Sequence, residues 1–184
     1  MCGQFHTRTG PVAAIMRPMN YTDDSDESLI GRHAQGDGAA FELLYRRNEL
    51  RTWRYLERTV GSRAIADGLL QDVWFAVARD AAQYESRGRF AAWLFGIAHQ
   101  RLNEHAKATR NQPHPAPPVP EQPSPLIEAL AQLPREQRDS YLLQLEGELT
   151  VEEISSVTNC AAEMTQARLH YARTRLSELL AEQK

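Results

Sequence analysis

Apolar residues recur at intervals of three and four along most of the chain, which places them on one face of a helix. The first long run extends from Phe41 to Thr59. Two further runs comprise Ala66, Leu69, Leu70, Val73, Trp74 and Val77, and then Phe90, Trp93, Leu94, Ile97, Ala98 and Leu102. No segment alternates strictly between apolar and polar positions, as a half-buried strand would. The pattern predicts an all-α protein.

Local signals place the helix ends. Asp26 is expected to cap a short helix that carries Leu29 and Ile30, and the stretch "AQGDGAA" predicts the turn that follows it. Further along, Thr150 and Glu153 have the spacing of a capping box.

A proline-rich stretch divides the chain. The segment from Asn111 to Pro125 holds seven of the ten prolines, and proline lacks a backbone donor and fixes φ. We therefore expect two small helical domains joined by a flexible Pro-rich linker. The predicted divisions are a disordered N-terminal extension (1–24), an N-terminal helical bundle (25–108), the linker (109–125) and a C-terminal helix-turn-helix domain (126–184).

The C-terminal part reads as a helix-turn-helix. A helix begins after Thr150, and Asn159 suits the left-handed conformation of a tight turn. The last helix is expected to bury Thr165, Leu169, Ala172, Leu176 and Leu179. Its opposite face is polar, and a helix-turn-helix with such a face fits a DNA major groove.

The composition and net charge argue against several classes of protein. The net charge is −3 with a pI of about 6.1, which argues against binding nucleic acid by charge alone. Cys2 and Cys160 lie far apart and suggest neither a disulfide framework nor a zinc cluster, so a reducing cytoplasm is expected. No apolar run approaches the ~20 residues of a membrane span. Met1, Met16 and Met19 are all candidate translation starts.

Enzyme and metal chemistry find no support in the sequence. His99 and His105 are six residues apart, which puts them on different helix faces, unlike the histidines of a zinc helix. The chain carries neither a glycine-rich phosphate loop nor a nucleophile motif. We assign no catalytic residue, no metal ligand and no cofactor.

From about Asp26 to Leu180 the chain resembles the extracytoplasmic-function (ECF) sigma factors, the small specificity subunits of bacterial RNA polymerase. "GDGAAFELLYRRN" resembles their first conserved helix and "LLQDVWFAVARDAAQY" their core-binding helix. "RGRFAAWLFGIAHQRLNEH" is similar to the segment that melts and reads the −10 element, and the helix-turn-helix to the domain that reads the −35 element. The order, the spacing and the proline linker agree together.

The resemblance implies roles for particular residues. It implies that core polymerase is bound by Asp67, Gln71 and Asp72. It implies that the −10 DNA is contacted by Tyr84, Arg87, Arg89, His99, Gln100 and Asn103. It implies that the −35 DNA is contacted by Gln166, Arg168, His170, Tyr171 and Arg173. Taken from the residues alone, Phe90 and Trp93 are core positions, and the outer face that would carry His99, Gln100 and Asn103 could be a solvated surface.

The chain departs from the family pattern in two places. Where the family has an acidic run of Asp-Ala-Glu-Asp type, residues 65–68 read Ile-Ala-Asp-Gly, so only Asp67 keeps its charge. A Ser/Thr kinase that modified Thr59 or Ser62 would restore negative charge nearby, although Ser62 also suits a helix N-cap. In the last helix Ala161, Met164 and Gln166 replace the usual cap, threonine and basic residue, which predicts an altered −35 preference.

The sequence therefore predicts an alternative sigma factor with core RNA polymerase and promoter DNA as partners, and with an anti-sigma factor or a kinase as a candidate regulator. Because the polymerase would hold it at the promoter, its low basicity is tolerable. Two alternatives stay open: a sigma-like interaction protein without productive polymerase binding, and a stand-alone helix-turn-helix regulator.

Overall fold

A computed structural model describes residues 24–84, 88–109 and 124–181. Within these ranges the chain forms eight α-helices, a short 3-10 turn at Ala81–Gln83 and no strand, which confirms the all-α prediction. The helices are α1 (Asp26–Ala34), α2 (Gly38–Val60), α3 (Arg63–Asp80), α4 (Phe90–Thr109), α5 (Pro125–Ala131), α6 (Arg135–Gly147), α7 (Val151–Thr158) and α8 (Ala162–Ala181). Residues 1–23 of the predicted N-terminal extension and residues 110–123 of the predicted linker lie outside the described residues.

The cap of α1 corrects one expectation. Ser25, not Asp26, is the N-cap, because its Oγ accepts the backbone N–H of Ser28 at 3.2 Å. The Asp26 carboxylate instead joins α1 to α2, accepting from Asn48 Nδ2 at 2.8 Å and from Arg47 Nη1 at 3.1 Å. Both residues are good caps, so the sequence pattern located the helix start only to within one residue.

Other helix ends agree with their sequence signals. Ser62 caps α3, its Oγ accepting from Ile65 N at 3.5 Å, and Gly61 before it has a φ of 68°, in the left-handed region. Thr150 and Glu153 form the predicted capping box at the start of α7. Asn159 ends α7 with a φ of 51°, as the turn requires.

The N-terminal domain, α1 to α4, packs around the apolar runs that the sequence identified. Its fully buried large side chains are Leu29, Ile30, Leu44, Tyr55, Leu56, Phe90, Leu94 and Phe95. Trp74 meets Phe41 and Tyr45 edge-on, with ring centroids 5.8 and 5.0 Å apart, and this contact joins α3 to α2.

The C-terminal domain, α5 to α8, contains the predicted helix-turn-helix in α7 and α8. All five residues expected on its buried face, from Thr165 to Leu179, are buried. Thr165 is a polar member of this core, and its Oγ1 lies 3.0 Å from the Ser155 hydroxyl, which donates to it. This hydrogen bond fixes α7 against α8.

The two domains pack against each other, a contact that the sequence did not predict. Helix α6 lies along α2, and α7 lies along α4. The contact is tight at Gly147, where a Cβ would lie 3.0 Å from Leu149 Cγ and 3.2 Å from Phe95 Cγ. At Gly96 a Cβ would lie at an ordinary contact distance, 3.9 Å from Val157 Cγ2. The buried Glu146 carboxylate pairs with Arg58 across this interface.

Candidate functional site

The exposed face of α3 carries the three residues assigned to polymerase binding. Asp67, Gln71 and Asp72 are all exposed, and their spacing places them along one side of the helix. Asp67 Oδ1 accepts a hydrogen bond from Trp53 Nε1 on α2 at 2.7 Å. The only carboxylate kept from the family's acidic run is therefore held in a fixed position.

An apolar groove adjoins this face. It is a cavity of about 280 Å³ between α2 and α3, lined by Phe41, Tyr45, Leu70, Gln71, Trp74, Phe75 and Ala78. Phe75 is 73% exposed at its edge, the most exposed of the large apolar side chains in the described part of the chain. Phe75 was not predicted as a site residue from the sequence. The available signal was an aromatic residue in α3 outside the apolar run of the buried face.

Three aromatic rings surround the start of α4. The Tyr84 ring centroid lies 5.3 Å from that of Trp93 and 6.1 Å from that of Phe90, and the Tyr84 hydroxyl donates to the Gly88 carbonyl at 2.7 Å. Phe90 is fully buried and Trp93 half-buried, as expected of core positions. Arg87 lies outside the described residues.

The first turn of α4 is anchored by α1. Glu27 Oε1 accepts the backbone N–H of Phe90 at 2.8 Å, and this hydrogen bond holds the pKa of the Glu27 carboxyl below its ordinary value. A carboxylate at a helix N-terminus also interacts favourably with the helix dipole. The first residue of α4 is thus held by a contact from α1.

The three candidate −10 residues within α4 have different environments. Gln100 is exposed and donates to Glu104 Oε1 at 2.8 Å. Asn103 Oδ1 accepts from Arg135 Nη2 of α6 at 2.6 Å. His99 does not lie on the outer face as expected. It is half-buried with Nδ1 3.0 Å from the hydroxyl of the fully buried Tyr55, since that hydroxyl needs a partner within the core.

A polar cavity of about 280 Å³ lies between the domains, beside His99. It is lined by His99, Asn103, Arg135, Glu136, Asp139, Thr158 and Arg168. Asp139 is only 5% exposed, and its burial raises the carboxyl pKa above the ordinary value while burial lowers the pKa of His99. Asp139 pairs with Arg135 one turn earlier on α6, with Arg135 Nε 3.4 Å from Asp139 Oδ2, but no local pattern in the sequence shows that His99 of α4 lies beside this carboxylate.

Four of the five candidate −35 residues lie on the exposed part of α8. Gln166, His170 and Arg173 are exposed, and Tyr171 is 61% exposed. Arg173 Nη2 donates to Gln144 Oε1 at 2.5 Å. Arg168 differs, because it is half-buried at the polar cavity between the domains.

The two candidate phosphorylation sites also differ. The Ser62 hydroxyl is committed to capping α3 and the residue is 8% exposed. Thr59 is more accessible. Its Oγ1 donates to the Tyr55 carbonyl at 2.7 Å, and it borders a cavity of about 200 Å³ that Arg135 and Arg138 also line.

Within the described ranges, no cluster of histidine, cysteine or acidic residues could hold a metal ion. Likewise, none of the helices described is long and apolar enough to cross a membrane.

Comparison with known proteins assigns both domains. Residues 44–112 match the family model for sigma-70 region 2, and residues 124–176 match the model for sigma-70 region 4. The RNA polymerase sigma factor CarQ of Myxococcus xanthus is 32% identical over 162 residues, which cover 79% of this chain and 93% of CarQ. The chain belongs to the ECF sigma factors of the sigma-70 family.

A second ECF sigma factor is similar in sequence, and two solved structures share the fold. The ECF RNA polymerase sigma factor SigM of Mycobacterium tuberculosis is 26% identical over 170 residues, 85% of each chain. The solved structure of CnrH in complex with the cytosolic domain of CnrY shares the fold, with a TM-score of 0.69 and 20% identity over 88% of this chain and all of that one. RpoE in complex with the anti-sigma factor NepR from Bartonella quintana gives a TM-score of 0.63 at 20% identity, covering 77% of this chain and 96% of that one.

This ECF sigma factor is an alternative sigma factor, which binds RNA polymerase and directs transcription from specific promoters. Sigma factors of this kind are not enzymes, in agreement with the sequence analysis. The family assignment also accounts for the low basicity of the chain, because affinity for the promoter is shared with the polymerase.

Proposed function

We propose that the exposed face of α3 is the polymerase-binding surface, formed by Asp67, Gln71, Asp72 and Phe75. The observation that carries the proposal is the combination of an oriented carboxylate with an exposed aromatic residue at the edge of an apolar groove. Interfaces commonly join an aromatic anchor in a dry centre to a polar rim. This chain lacks carboxylates that the family's acidic run has, and Phe75 adds apolar contact area on the same helix.

For the promoter, we propose that the region around α4 takes the −10 element and α8 the −35 element. Tyr84, Arg87 and Arg89 would capture a base flipped from the non-template strand, with His99, Gln100 and Asn103 beside them. On α8, Gln166, His170 and Tyr171 would reach base edges while Arg168 and Arg173 bind phosphates. The exposure of Gln100, Gln166, His170 and Tyr171 supports their part in this assignment.

Electrophoretic shifts with and without core polymerase test the proposal. The protein alone is expected to bind duplex promoter DNA poorly, and the complex with core enzyme to bind it and start transcription. Tight DNA binding by the protein alone would favour a stand-alone helix-turn-helix regulator. Failure to bind core enzyme would favour a sigma-like interaction protein.

Regulation by phosphorylation is proposed at Thr59 and not at Ser62. Thr59 is half-buried beside a cavity with two arginines, where a phosphate would find cationic partners, whereas the Ser62 hydroxyl already caps α3. Phosphopeptide mass spectrometry on protein from its native cell is expected to find phosphate on Thr59. A Thr59→Ala variant that still drives full transcription in that cell would contradict the proposal.

We propose a protein partner because two solved structures that share this fold contain one. RpoE of Bartonella quintana was solved with an anti-sigma factor, and CnrH with the cytosolic domain of CnrY. We propose that this sigma factor, acting in the cytoplasm with its polymerase, also has an anti-sigma partner. Affinity purification from the native cell, followed by a pairwise binding measurement, tests this; only polymerase subunits among the co-purified proteins would contradict it.

A further inference from the structure

The residue directly before α4 cannot cap the helix. Helix α4 begins at Phe90, and the side chain of Arg89 before it carries donors but no acceptor. An α-helix leaves its first backbone N–H groups without intrahelical partners, and a Ser, Thr, Asp or Asn side chain usually accepts one of them. In α4 the acceptor comes from a different helix, because Glu27 Oε1 of α1 accepts the Phe90 N–H at 2.8 Å.

The peptide group that joins Arg89 to Phe90 is held at both of its polar atoms. Its N–H donates to Glu27, and its carbonyl oxygen accepts from Ala92 N at 3.0 Å and from Trp93 N at 3.4 Å. This peptide follows the Arg89 Cα directly, and the rotamers open to a side chain depend on the backbone at its own residue. The contact with Glu27 therefore helps to decide where the Arg89 side chain can reach.

The contact with Glu27 does not use the Arg89 side chain. Arg89 Nη1 donates to the Glu148 carbonyl at 3.1 Å and lies 3.2 Å from Glu153 Oε2. The hydrogen bond to Glu27 is made by the backbone alone. The placement of the Arg89 backbone is thus independent of what its guanidinium binds.

Tyr84 is held against the same helix start. Its ring packs against those of Phe90 and Trp93, and its hydroxyl donates to the Gly88 carbonyl at 2.7 Å. Burial raises the pKa of the Tyr84 hydroxyl, and the nearby negative charge of Glu27 adds to the rise. Helix α1 packs against both the 3-10 turn that precedes Tyr84 and α4. Glu27 therefore lies close to both of the described residues that are proposed to capture a base.

Helix α1 has a fixed position of its own. The Asp26 carboxylate accepts from Asn48 Nδ2 of α2 at 2.8 Å, and Leu29 and Ile30 are fully buried. Glu27 is half-buried between these anchors. Its hydrogen bond therefore fixes the start of α4 relative to a well-anchored helix.

We propose that Glu27 is a positioning residue for promoter opening: by holding the start of α4, it places Tyr84 and Arg89 for capture of a base from the −10 element. The inference rests on the proposed −10 role of those two residues. It adds a side chain that acts through the protein backbone and does not itself touch DNA.

Substitutions in the complete protein, bound to core polymerase, test the inference. Glu27→Ala removes the acceptor, whereas Glu27→Gln keeps a side-chain oxygen that can accept the Phe90 N–H. Ile30→Val is the matched control, because it makes a small deletion at a fully buried residue of the same helix and leaves Glu27 in place. Circular dichroism and thermal melts compare the helix content and the stability of all variants.

Base capture is measured on a promoter recovered from a randomised library by transcription with the wild-type complex. 2-Aminopurine in the non-template strand of its −10 element becomes more fluorescent when the base leaves the stack. We expect Glu27→Ala to slow the fluorescence rise roughly fivefold, the factor that corresponds to the loss of one helix cap, with the affinity for core polymerase unchanged. Glu27→Gln should recover most of the wild-type rate, and Ile30→Val should match wild type.

Two results would overturn the positioning role. If Ile30→Val slowed the fluorescence rise as much as Glu27→Ala at an equal loss of thermal stability, the effect would be one of stability alone. If Glu27→Gln were as slow as Glu27→Ala, the hydrogen bond to the backbone of α4 would not be the cause.

Tyr84→Ala and Arg89→Ala separate this inference from the −10 assignment on which it rests. If both variants slow the fluorescence rise and Glu27→Ala does not, the −10 assignment stands and only the positioning role fails. If neither slows it, the −10 assignment fails and the positioning role fails with it.

Discussion

Trp53 donates its indole N–H to Asp67, with Nε1 2.7 Å from Oδ1. This contact orients the one carboxylate that remains from the family's acidic run, and it does so from the neighbouring helix α2. The Asp67 carboxylate is exposed, so its remaining lone pairs are open to a partner. The relationship links helix packing in the N-terminal domain to the proposed polymerase-binding surface.

The first prediction concerns this pair. Asp67→Asn should weaken binding to core polymerase roughly ten- to a hundredfold, because a charge-assisted hydrogen bond is worth ~1.5–3 kcal/mol. Trp53→Phe keeps the Asp67 carboxylate but removes its hydrogen-bond donor, and it should weaken binding to core polymerase roughly two- to fivefold. Titration of labelled protein with core enzyme measures both. Glu128→Gln on the exposed surface of α5 is the control, and an equal loss there would argue against a specific role for Asp67.

Phe75 carries the second prediction. Phe75→Ala should leave thermal stability within the range of ordinary surface substitutions, about ±0.5 kcal/mol, because the ring is 73% exposed. The affinity for core RNA polymerase should fall roughly tenfold or more, because the ring is proposed as an interface anchor. Met164→Ala, which alters another exposed apolar side chain, is the matched control. Unchanged core affinity in Phe75→Ala would remove the groove from the binding surface.

The third prediction is that the stability of the folded protein depends on pH through His99 at the domain interface. Burial lowers the pKa of His99 from 6.5, so the packed form holds the imidazole neutral. The stability that this contributes is present above about pH 6.5 and is lost as the pH falls through the lowered pKa. The raised pKa of Asp139 acts in the opposite sense, since its stabilising effect is full below 3.8 and is lost as the pH rises through its raised value.

His99 contacts Tyr55, and the other residues that line the cavity beside it are Asn103, Arg135, Glu136, Asp139, Thr158 and Arg168. Thermal melts from about pH 7 down to about pH 5 should show wild-type stability falling on acidification, and His99→Gln should flatten that slope. His170→Gln, on the exposed face of α8, should leave the slope as in wild type. Identical slopes in wild type and His99→Gln would contradict the assignment to His99.

The fourth prediction concerns −35 recognition. Gln166 is exposed on α8 and can bond adenine in a bidentate manner, a contact worth ~1–3 kcal/mol of discrimination. Gln166→Ala should therefore relax base preference at one −35 position, measured by sequencing transcripts from a randomised promoter library. Gln132→Ala, the same substitution just after α5, is the control. Unaltered promoter choice in Gln166→Ala would remove that residue from the readout.

Local features were predictable from the sequence and long-range contacts were not. Periodicity and capping located the helices and the helix-turn-helix, because both depend on residues within a few positions of each other. The Arg58–Glu146 pair joins residues 88 positions apart, and no local pattern encodes it. His99 was expected on the outer face for the same reason: its partner Tyr55 lies 44 positions earlier, on α2, where no local pattern shows it.

The affinity of the unmodified protein for core RNA polymerase is the most direct test of the account. A dissociation constant on the order of nanomolar, weakened by Asp67→Asn and by Phe75→Ala, is the predicted result. Absent or only micromolar binding of the unmodified protein would contradict the proposal that the exposed face of α3 suffices for polymerase binding.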